Sequence, residues 1–271
     1  MSIVVNTNIG SLNAQRSLAE SSRELSTAME RLSSGKKINS AADDAAGFAI
    51  AERMTAQVRG LNMATKNAND GLAMLATIEN ATNDVTDMLQ RIRELAVQAA
   101  NDTNGAQDRT YLQTEVDSLV AEINRVSTDT VYNDSVVLDG NLSGSLQVGT
   151  ASGQTIDFAI DSIDATTLGV DALDFTDATT AATALTAIDS ASETVAGNRA
   201  GYGALSNRLE YTVSNLMNVA EFTTAARSRI EDADFAAESA RLAKAQVLQQ
   251  TGTAMLAQAN ASSQLAIQLI R

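Results

Sequence analysis

MTAQVRGLNMATKNANDGLAMLATIENATNDVTDMLQRIRELAVQA, residues Met54–Ala99, carries one apolar stripe from end to end. Met54, Val58, Leu61, Ala68, Leu72 and Leu75 are spaced by 4, 3, 7, 4 and 3; Ile78, Val85, Leu89, Ile92, Ala96 and Ala99 by 7, 4, 3, 4 and 3. Residues three and four apart share one side of a helix, so this spacing predicts a single helix over about 44–100. At 1.5 Å per residue such a helix is roughly 80 Å long. Ordinary globular helices seldom pass ~25 residues, so the stripe implies a coiled coil or bundle. Gly60 and Gly71 each cost the helix about 1 kcal/mol, which suggests that a neighbouring helix approaches closely there.

Working outward, "NDTNGAQD" (Asn101–Asp108) breaks the pattern. A second helix follows on Leu112, Val116, Leu119, Ile123 and Val126. A short break between helices implies antiparallel packing. Towards the N-terminus, Leu18, Leu25 and Leu32 lie seven apart, a narrow stripe over about 10–33. Gly35 is placed to end that helix, and Ser40, Asp43 and Asp44 are N-cap candidates for the long one. Lys36 and Lys37 between them are read as a solvated turn or a hinge contact.

Beyond residue 126 the character changes. Leu146 and Val148 alternate, as do Ile156, Phe158 and Ile160 across "GTASGQ", which predicts a β-hairpin. Residues 165–190 are rich in Thr, Ala and Asp and show no clear period. Helical spacing returns at Leu205, Leu209, Thr212, Leu216 and Val219. A last helical stretch holds Phe235, Leu242, Leu248, Met255 and Leu256, then Leu265, Leu269 and Ile270. The expected fold is mainly α, a long antiparallel helical bundle or coiled coil with a small β-hairpin.

Composition agrees and excludes much else. The 271 residues include no Pro, no Cys, no His and only nine aromatics. Average proline usage near 5% would give roughly a dozen. Disulfides, Cys/His metal sites and His or Cys catalysis are excluded. No catalytic residue, cofactor site or metal site is expected. The acidic run Asp157, Asp161, Asp164, Asp171, Asp174 and Asp177 lacks calcium-loop spacing and reads as a solvated surface. Residues 126–198 carry 11 acidic and no basic groups, whereas 1–125 carry 16 acidic against 12 basic and 199–271 carry 6 against 7. The acidity opposes nucleic acid and anionic membrane as partners. No apolar run reaches the ~18 residues of a spanning helix, and no Sec-type leader is expected at the N-terminus.

The chain thus goes out and returns, with an apolar stripe on each terminal segment. Two terminal helices alone leave one flank of each stripe wet. A second copy of the chain is the simplest cover, and a head-to-tail contact that does not close makes a helical polymer.

The motifs at both ends resemble those of one family. "SLNAQRSL", "AMERLSSGKKINSAADDAAGFAIAERM", "NANDG", "LQRIRELAVQAAN" and "EINRVS" resemble the N-terminal half of bacterial flagellin. "GALSNRLEYTVSNL", "ARSRIEDADFAAESARLAKAQVLQQTGTAMLAQAN" and "LIR" resemble its C-terminal half, and "TLGVDAL" its return from the hairpin. The resemblance covers about 1–140 and 195–271. It implies a structural, non-enzymatic subunit of the flagellar filament, exported unfolded by flagellar type III secretion and lying outside the cell. It also implies terminal helices paired into an inner tube. The implied divisions are 1–44 and 229–271 for the tube, 45–140 and 196–228 for the rod, and a short variable region at 141–195.

The implied partners are further copies of the chain, the flagellar cap, hook-associated junction proteins and an export chaperone gripping the C-terminal segment. Gln90, Arg91, Glu94 and Leu95, with Glu115 on the next helix, match positions through which Toll-like receptor 5 senses many flagellins; packing between protofilaments is the plainer role. The self-assembly residues expected are Leu18, Leu25, Leu32, Leu242, Leu248, Met255, Leu256, Leu265, Leu269 and Ile270. A hook–filament junction protein of the same family and a flagellin-like surface binding module are the alternatives.

Overall fold

The computed structural model describes residues 7–270, with side chains described as far as Ser262. In chain order the elements are α1 (Ile9–Ser34), α2 (Ala45–Ala99), α3 (Ala106–Asp129), β1 (Val131–Tyr132), β2 (Ser135–Val136), β3 (Ser143–Gln147), β4 (Thr155–Ala159), α4 (Ala165–Leu168), α5 (Ala178–Glu231) and α6 (Phe235–Ile270). The chain divides into two compact units, residues 59–221 and residues 1–58 with 222–271.

The 59–221 unit owns a conventional core. From α2 it buries Leu75, Ile78, Val85, Leu89, Ile92, Leu95, Ala96 and Ala99, most of them residues of the opening stripe. Val116, Ile123 and Val126 of α3 meet them, as do Ala181, Ala184, Ile188, Ala191, Val195 and Leu209 of α5. Helices α2 and α3 turn back at 101–105 because the chain caps both ends there. Arg109 Nε donates to the carbonyl of Ala99 (2.9 Å), and Asp108 accepts from Gly105 N–H (3.0 Å).

Two hairpins close the unit. In the β3–β4 pair, Leu146 faces Ile156 and Gly144 faces Phe158, an antiparallel register that matches the alternation. Gly71 and Gly60 answer to this hairpin. A Cβ on Gly71 would sit 2.5 Å from Leu146 Cδ1 and 3.4 Å from Leu209 Cδ1; one on Gly60 would meet the Thr150 methyl at 2.8 Å. The expected neighbouring helix is therefore replaced by the hairpin at Gly60 and comes second to it at Gly71, where α5 is also in reach. The β1–β2 hairpin turns through Asn133 and Asp134, both at positive φ (49° and 64°), as a two-residue hairpin loop requires.

Residues 160–177 follow the surface of the core, with Asp161, Asp171, Asp174 and Asp177 exposed and apolar side chains turned inward. Ile160, Ile163, Leu168, Val170 and Phe175 are buried. Gln113 of α3 clamps the segment, donating to Leu173 C=O (2.9 Å) and accepting from Phe175 N–H (2.7 Å). Asn124 accepts from Ala165 N–H (2.9 Å). Asp164 caps α4, accepting from Ser162 Oγ and Thr167 N–H, and these bonds hold its carboxyl below the usual range.

Helix α5 begins at Ala178, well before the periodicity at Leu205. Its early stripe, Ala181, Ala184, Ile188, Ala191 and Val195, keeps 3, 4, 3, 4 spacing but is carried mostly by alanine. Alanine is common on both faces of helices, so it does not mark the buried side.

The second unit is built differently. Helices α1 and α6 run antiparallel: Asn8 Nδ2 donates to Ala259 C=O (2.8 Å), Leu18 lies over Gly252, and Arg31 pairs with Glu238 (3.3 Å). Asn8 also caps α1 by accepting from Ser11 N–H (3.1 Å), and Gly35 ends it at φ 70°. The turn that follows is a joint. Lys37 N–H donates to Glu231 C=O (2.6 Å), Ala233 N–H to Gly35 C=O (2.9 Å), and the Lys36 ammonium pairs with Glu231. Of the N-cap candidates, Asp44 caps α2 through Ala46 and Gly47 N–H, while Asp43 holds the turn through Asn39 and Ser40 N–H. Those backbone bonds, Ser40's first, hold the Asp43 carboxyl below its ordinary value.

Candidate functional site: two interaction surfaces

Among the described residues, no group of three acidic side chains is placed to hold a metal ion, and no helix is long and apolar enough to cross a membrane. What the geometry offers is surface.

The first surface lies on the α2–α3 side of the 59–221 unit. Arg91 donates through Nε to Glu115 Oε1 (2.9 Å) and through Nη1 to Glu94 Oε2 (2.9 Å). The antiparallel turn at 101–105 is what brings Arg91 and Glu115 level. All three side chains are about half exposed or more. Their bonds, Glu94's first, push the Arg91 guanidinium above its already high value, so it is charged throughout. The two bonds hold the planar Arg91 guanidinium between two carboxylates on the surface. Gln90 is exposed beside it.

Leu95 stands apart from its four companions. It is 1% exposed and packs in the core with Ile92 and Val116. It supports the surface from beneath and touches nothing outside. Beside the cluster, Gln90, Arg93, Glu94 and Val97 line a shallow hollow of about 400 Å³. Arg93 is tied to Asp189 of α5 (2.7 Å), and Val97 and Tyr111 present apolar surface to solvent. Sequence spacing missed these residues. Val97 does fall off the apolar stripe of α2, and that was the available signal for an exposed hydrophobe.

The second surface is the α1–α6 pair. Its seam buries Ser11, Ser21, Ala28, Ala245 and Glu238, small or polar groups. The large apolar side chains are left outside: Met255 is 64% and Leu248 40% exposed, with Ile9, Leu12, Met29, Phe235 and Val247 also on the surface. Leu18, Leu25, Leu32, Leu242 and Leu256 are half-buried. Leu265, Leu269 and Ile270 lie outside the residues whose side chains are described. A groove of about 470 Å³ runs along one side, lined by Gly10, Ala14 and Ser17 of α1 and Leu248, Gly252 and Met255 of α6, among others. Small residues make its floor and apolar ones its rim. That is the shape a side chain of another helix fills. Contiguous apolar surface left open in this way is unusual on a monomeric protein.

Near the joint, the carboxylate of Glu238 is almost fully buried between Arg31 (3.3 Å) and Arg241 (2.9 Å). Glu238 sits in the first turn of α6 and Arg31 in the last turn of α1, so each also meets a helix end of opposite polarity.

Comparison with known proteins gives concordant matches. Residues 5–143 match the family model described as the bacterial flagellin N-terminal helical region, and residues 185–270 match the bacterial flagellin C-terminal helical region. The chain is 42% identical over 272 residues to a flagellin of Halalkalibacterium halodurans, covering 99% of this chain and all of that one. It is 38% identical to a flagellin of Bacillus subtilis, over 98% of this chain and 99% of that one. The crystal structure of Bacillus cereus flagellin superposes with a TM-score of 0.51 at 32% identity, covering 56% of this chain and 88% of that one.

Proposed function

The chain belongs to the bacterial flagellins, the structural subunits of flagellar filaments, and on that premise we propose that it polymerises through the exposed faces of α1 and α6 into a filament that serves motility. The observation that carries this reading is the inverted seam of the α1–α6 pair. Its small residues are inside and Leu12, Leu248 and Met255 are outside. A lone chain gains nothing from that arrangement. Burying such side chains against copies is worth about 25 cal/mol per Å², so ~1,000 Å² of apolar contact per subunit gives roughly 25 kcal/mol gross, before the losses of association.

Further expectations follow from the same premise. The subunit travels unfolded through the flagellar type III route, with a chaperone covering the C-terminal segment, and adds beneath a cap protein beyond the hook-associated junction proteins. The chain then lies outside the cell. The tube comprises 1–44 and 229–271, the rod 45–140 and 196–228, and the variable region 141–195. The face formed by Gln90, Arg91, Glu94 and Glu115 over Leu95 packs against a neighbouring protofilament, and in released monomers is open to Toll-like receptor 5.

The deciding experiment uses the purified full chain. Polymerisation is seeded or salted out, followed by sedimentation and electron microscopy, for the natural sequence and for Met255→Asp. The natural chain is expected to give long tubes of uniform diameter. Met255→Asp is expected to stay in the supernatant with unchanged helical circular dichroism. Tubes of normal yield from Met255→Asp overturn the assignment of that face. A natural chain that forms only short rings or remains monomeric favours a junction role over a filament role.

A further inference from the structure

The chain contains a single Asn-Gly pair, Asn104–Gly105, and a single Asn-Ser pair, Asn39–Ser40. In such pairs the main-chain nitrogen after the asparagine can reach the side-chain Cγ, because Gly has no Cβ to hinder the approach and Ser only a small substituent. Asparagine is a thermolabile residue for this reason. Both pairs lie in turns between helices, α2–α3 and α1–α2, where no helical ladder holds the main chain. Gly105 and Ser40 are exposed and both asparagines are half-buried, so solvent reaches both places.

The two turns hold their asparagines in the same way. Asn104 Nδ2 donates to Gln98 C=O (2.5 Å), and Gly105 N–H donates to Asp108 Oδ2 (3.0 Å). Asn39 Nδ2 donates to Lys36 C=O (3.3 Å), and Ser40 N–H donates to Asp43 Oδ2 (2.9 Å). In each turn the side-chain amide is tied to a carbonyl upstream, and the next N–H to the carboxylate three residues further on. One such arrangement is an ordinary turn. Its recurrence at the two dipeptides most open to self-attack, in two separate units of the chain, links it to that chemistry.

The reaction is intramolecular. The main-chain nitrogen gives its proton to solvent and attacks Cγ; the N–Cγ bond forms, the Cγ–Nδ2 bond breaks, and Nδ2 leaves as ammonia. Water then opens the cyclic imide on either side, leaving aspartate or isoaspartate. Each of the two bonds opposes one part of this. A carboxylate that accepts the N–H favours the protonated nitrogen and holds it away from Cγ. A carbonyl that accepts from Nδ2 fixes the side-chain amide.

We propose that Asn39 and Asn104 are latent deamidation sites kept closed by the carboxylates of Asp43 and Asp108. Conversion at Asn104 sets a carboxylate against Gln98 C=O at the C-terminal end of α2, where negative charge is unfavourable. It thereby loosens the turn that brings Arg91 level with Glu115. Each site belongs to one unit and does not depend on polymerisation.

The test holds the purified full chain in mildly alkaline buffer, folded or unfolded in guanidinium chloride, with tryptic digestion at intervals. Asn39 reports in the peptide 38–53 and Asn104 in the peptide 94–109, through the mass change from amide to acid and fragmentation that assigns the position. The folded natural chain is expected to convert at both positions about tenfold more slowly than the unfolded chain, or slower still; tenfold corresponds to about 1.4 kcal/mol of added barrier. Asp108→Ala is expected to speed Asn104 alone, and Asp43→Ala to speed Asn39 alone, with helical circular dichroism retained. Equal rates in the folded and unfolded natural chain overturn the proposal. So does a variant whose own asparagine stays as slow as in the natural chain, or one that speeds both asparagines alike, because protection then comes from the fold at large and not from the carboxylate.

Discussion

The seam between α1 and α6 and the core between α2, α3 and α5 are both helical contacts, yet they bury opposite kinds of side chain. The core encloses Ile78, Val85, Leu89, Ile92, Ile123, Ile188 and Phe175. The seam encloses Ser11, Ser21, Ala28, Ala245 and a paired Glu238, and leaves Leu12, Val247, Leu248 and Met255 wet. Each fully buried Leu, Ile, Val or Phe contributes about 1.5–3 kcal/mol, while Ser and Ala contribute little. The 59–221 unit therefore has its own driving force for folding. The α1–α6 pair is held by a cap, the Gly35–Ala233 joint, the Arg31–Glu238–Arg241 cluster and half-buried leucines, and much of its apolar surface stays open to solvent in the lone chain.

The contrast can be broken most sharply at Met255. Met255→Asp is expected to abolish assembly while shifting the monomer's main thermal transition by no more than the width of replicate scans. A large loss of monomer stability would mean that the outer face is already buried within the lone chain. Phe175→Ala is the mirror image. It should cost about 3–5 kcal/mol in chemical denaturation of the monomer, since Phe175 is fully buried, and filaments assembled below the melting point should still form. Intermediate effects are expected at the polar clamps. Gln113→Ala frees the Leu173 carbonyl and the Phe175 N–H together and should cost about 1–3 kcal/mol, read as a lower denaturation midpoint.

Asp164 sharpens the same contrast by pH. Its folded carboxyl is depressed by Ser162 and Thr167, so its contribution is fully present above the ordinary value near 3.8 and is lost as pH falls through the lower folded value. Asp164→Ala should thus be less stable than the natural chain at pH 6, by about 0.5–2 kcal/mol for a lost cap, and the two should converge in strong acid. The smallest effect is expected at Arg91. Its partners are exposed, so Arg91→Ala should barely move the monomer melting curve. Any loss it causes should appear in filament yield or in receptor binding, and a large drop in monomer stability would show the cluster to be structural.

Much of this architecture is legible residue by residue. The 4–3 spacing of Met54–Ala99 names the buried side of α2, because large aliphatic side chains repeated at helical period line up on one face and that face leaves water. Leu146 and Ile156 name a hairpin for the same reason at period two. The start of α5 is hidden because Ala181, Ala184 and Ala191 bury a face without marking it. The Val131–Val136 hairpin is announced only by Asn133 and Asp134, a pair that tolerates positive φ, and its strands are too short to show an alternation. The aspartates of 160–177 are legible as a solvated surface, but the packing of Ile160, Ile163, Val170 and Phe175 between them is not, because they show no clear period.

The interaction surfaces are less legible. Arg91 and Glu115 are 24 positions apart, and only the antiparallel return of α3 makes them partners. Leu95 lies just off the stripe, three residues after Ile92 and one before Ala96, and is read as a contact residue, yet it is buried with the stripe and so lies under the surface and not on it. In the terminal helices, Leu18, Leu25 and Leu32 are visible as a stripe, but nothing in their spacing says that Ser11, Ser21 and Ala28 take the inside.

Taken alone, the order of residues determined that this chain is helical, free of proline-induced breaks, without thiol or imidazole chemistry, and apolar at both limits. These are local properties, set by side-chain type and period. Only the tertiary structure decided which side of each terminal helix faces inward, which glycine receives the hairpin, and which side chain of α3 clamps the segment before α5. Those outcomes depend on contacts between positions tens to hundreds of residues apart, where small differences in packing choose among faces that the sequence leaves nearly equivalent.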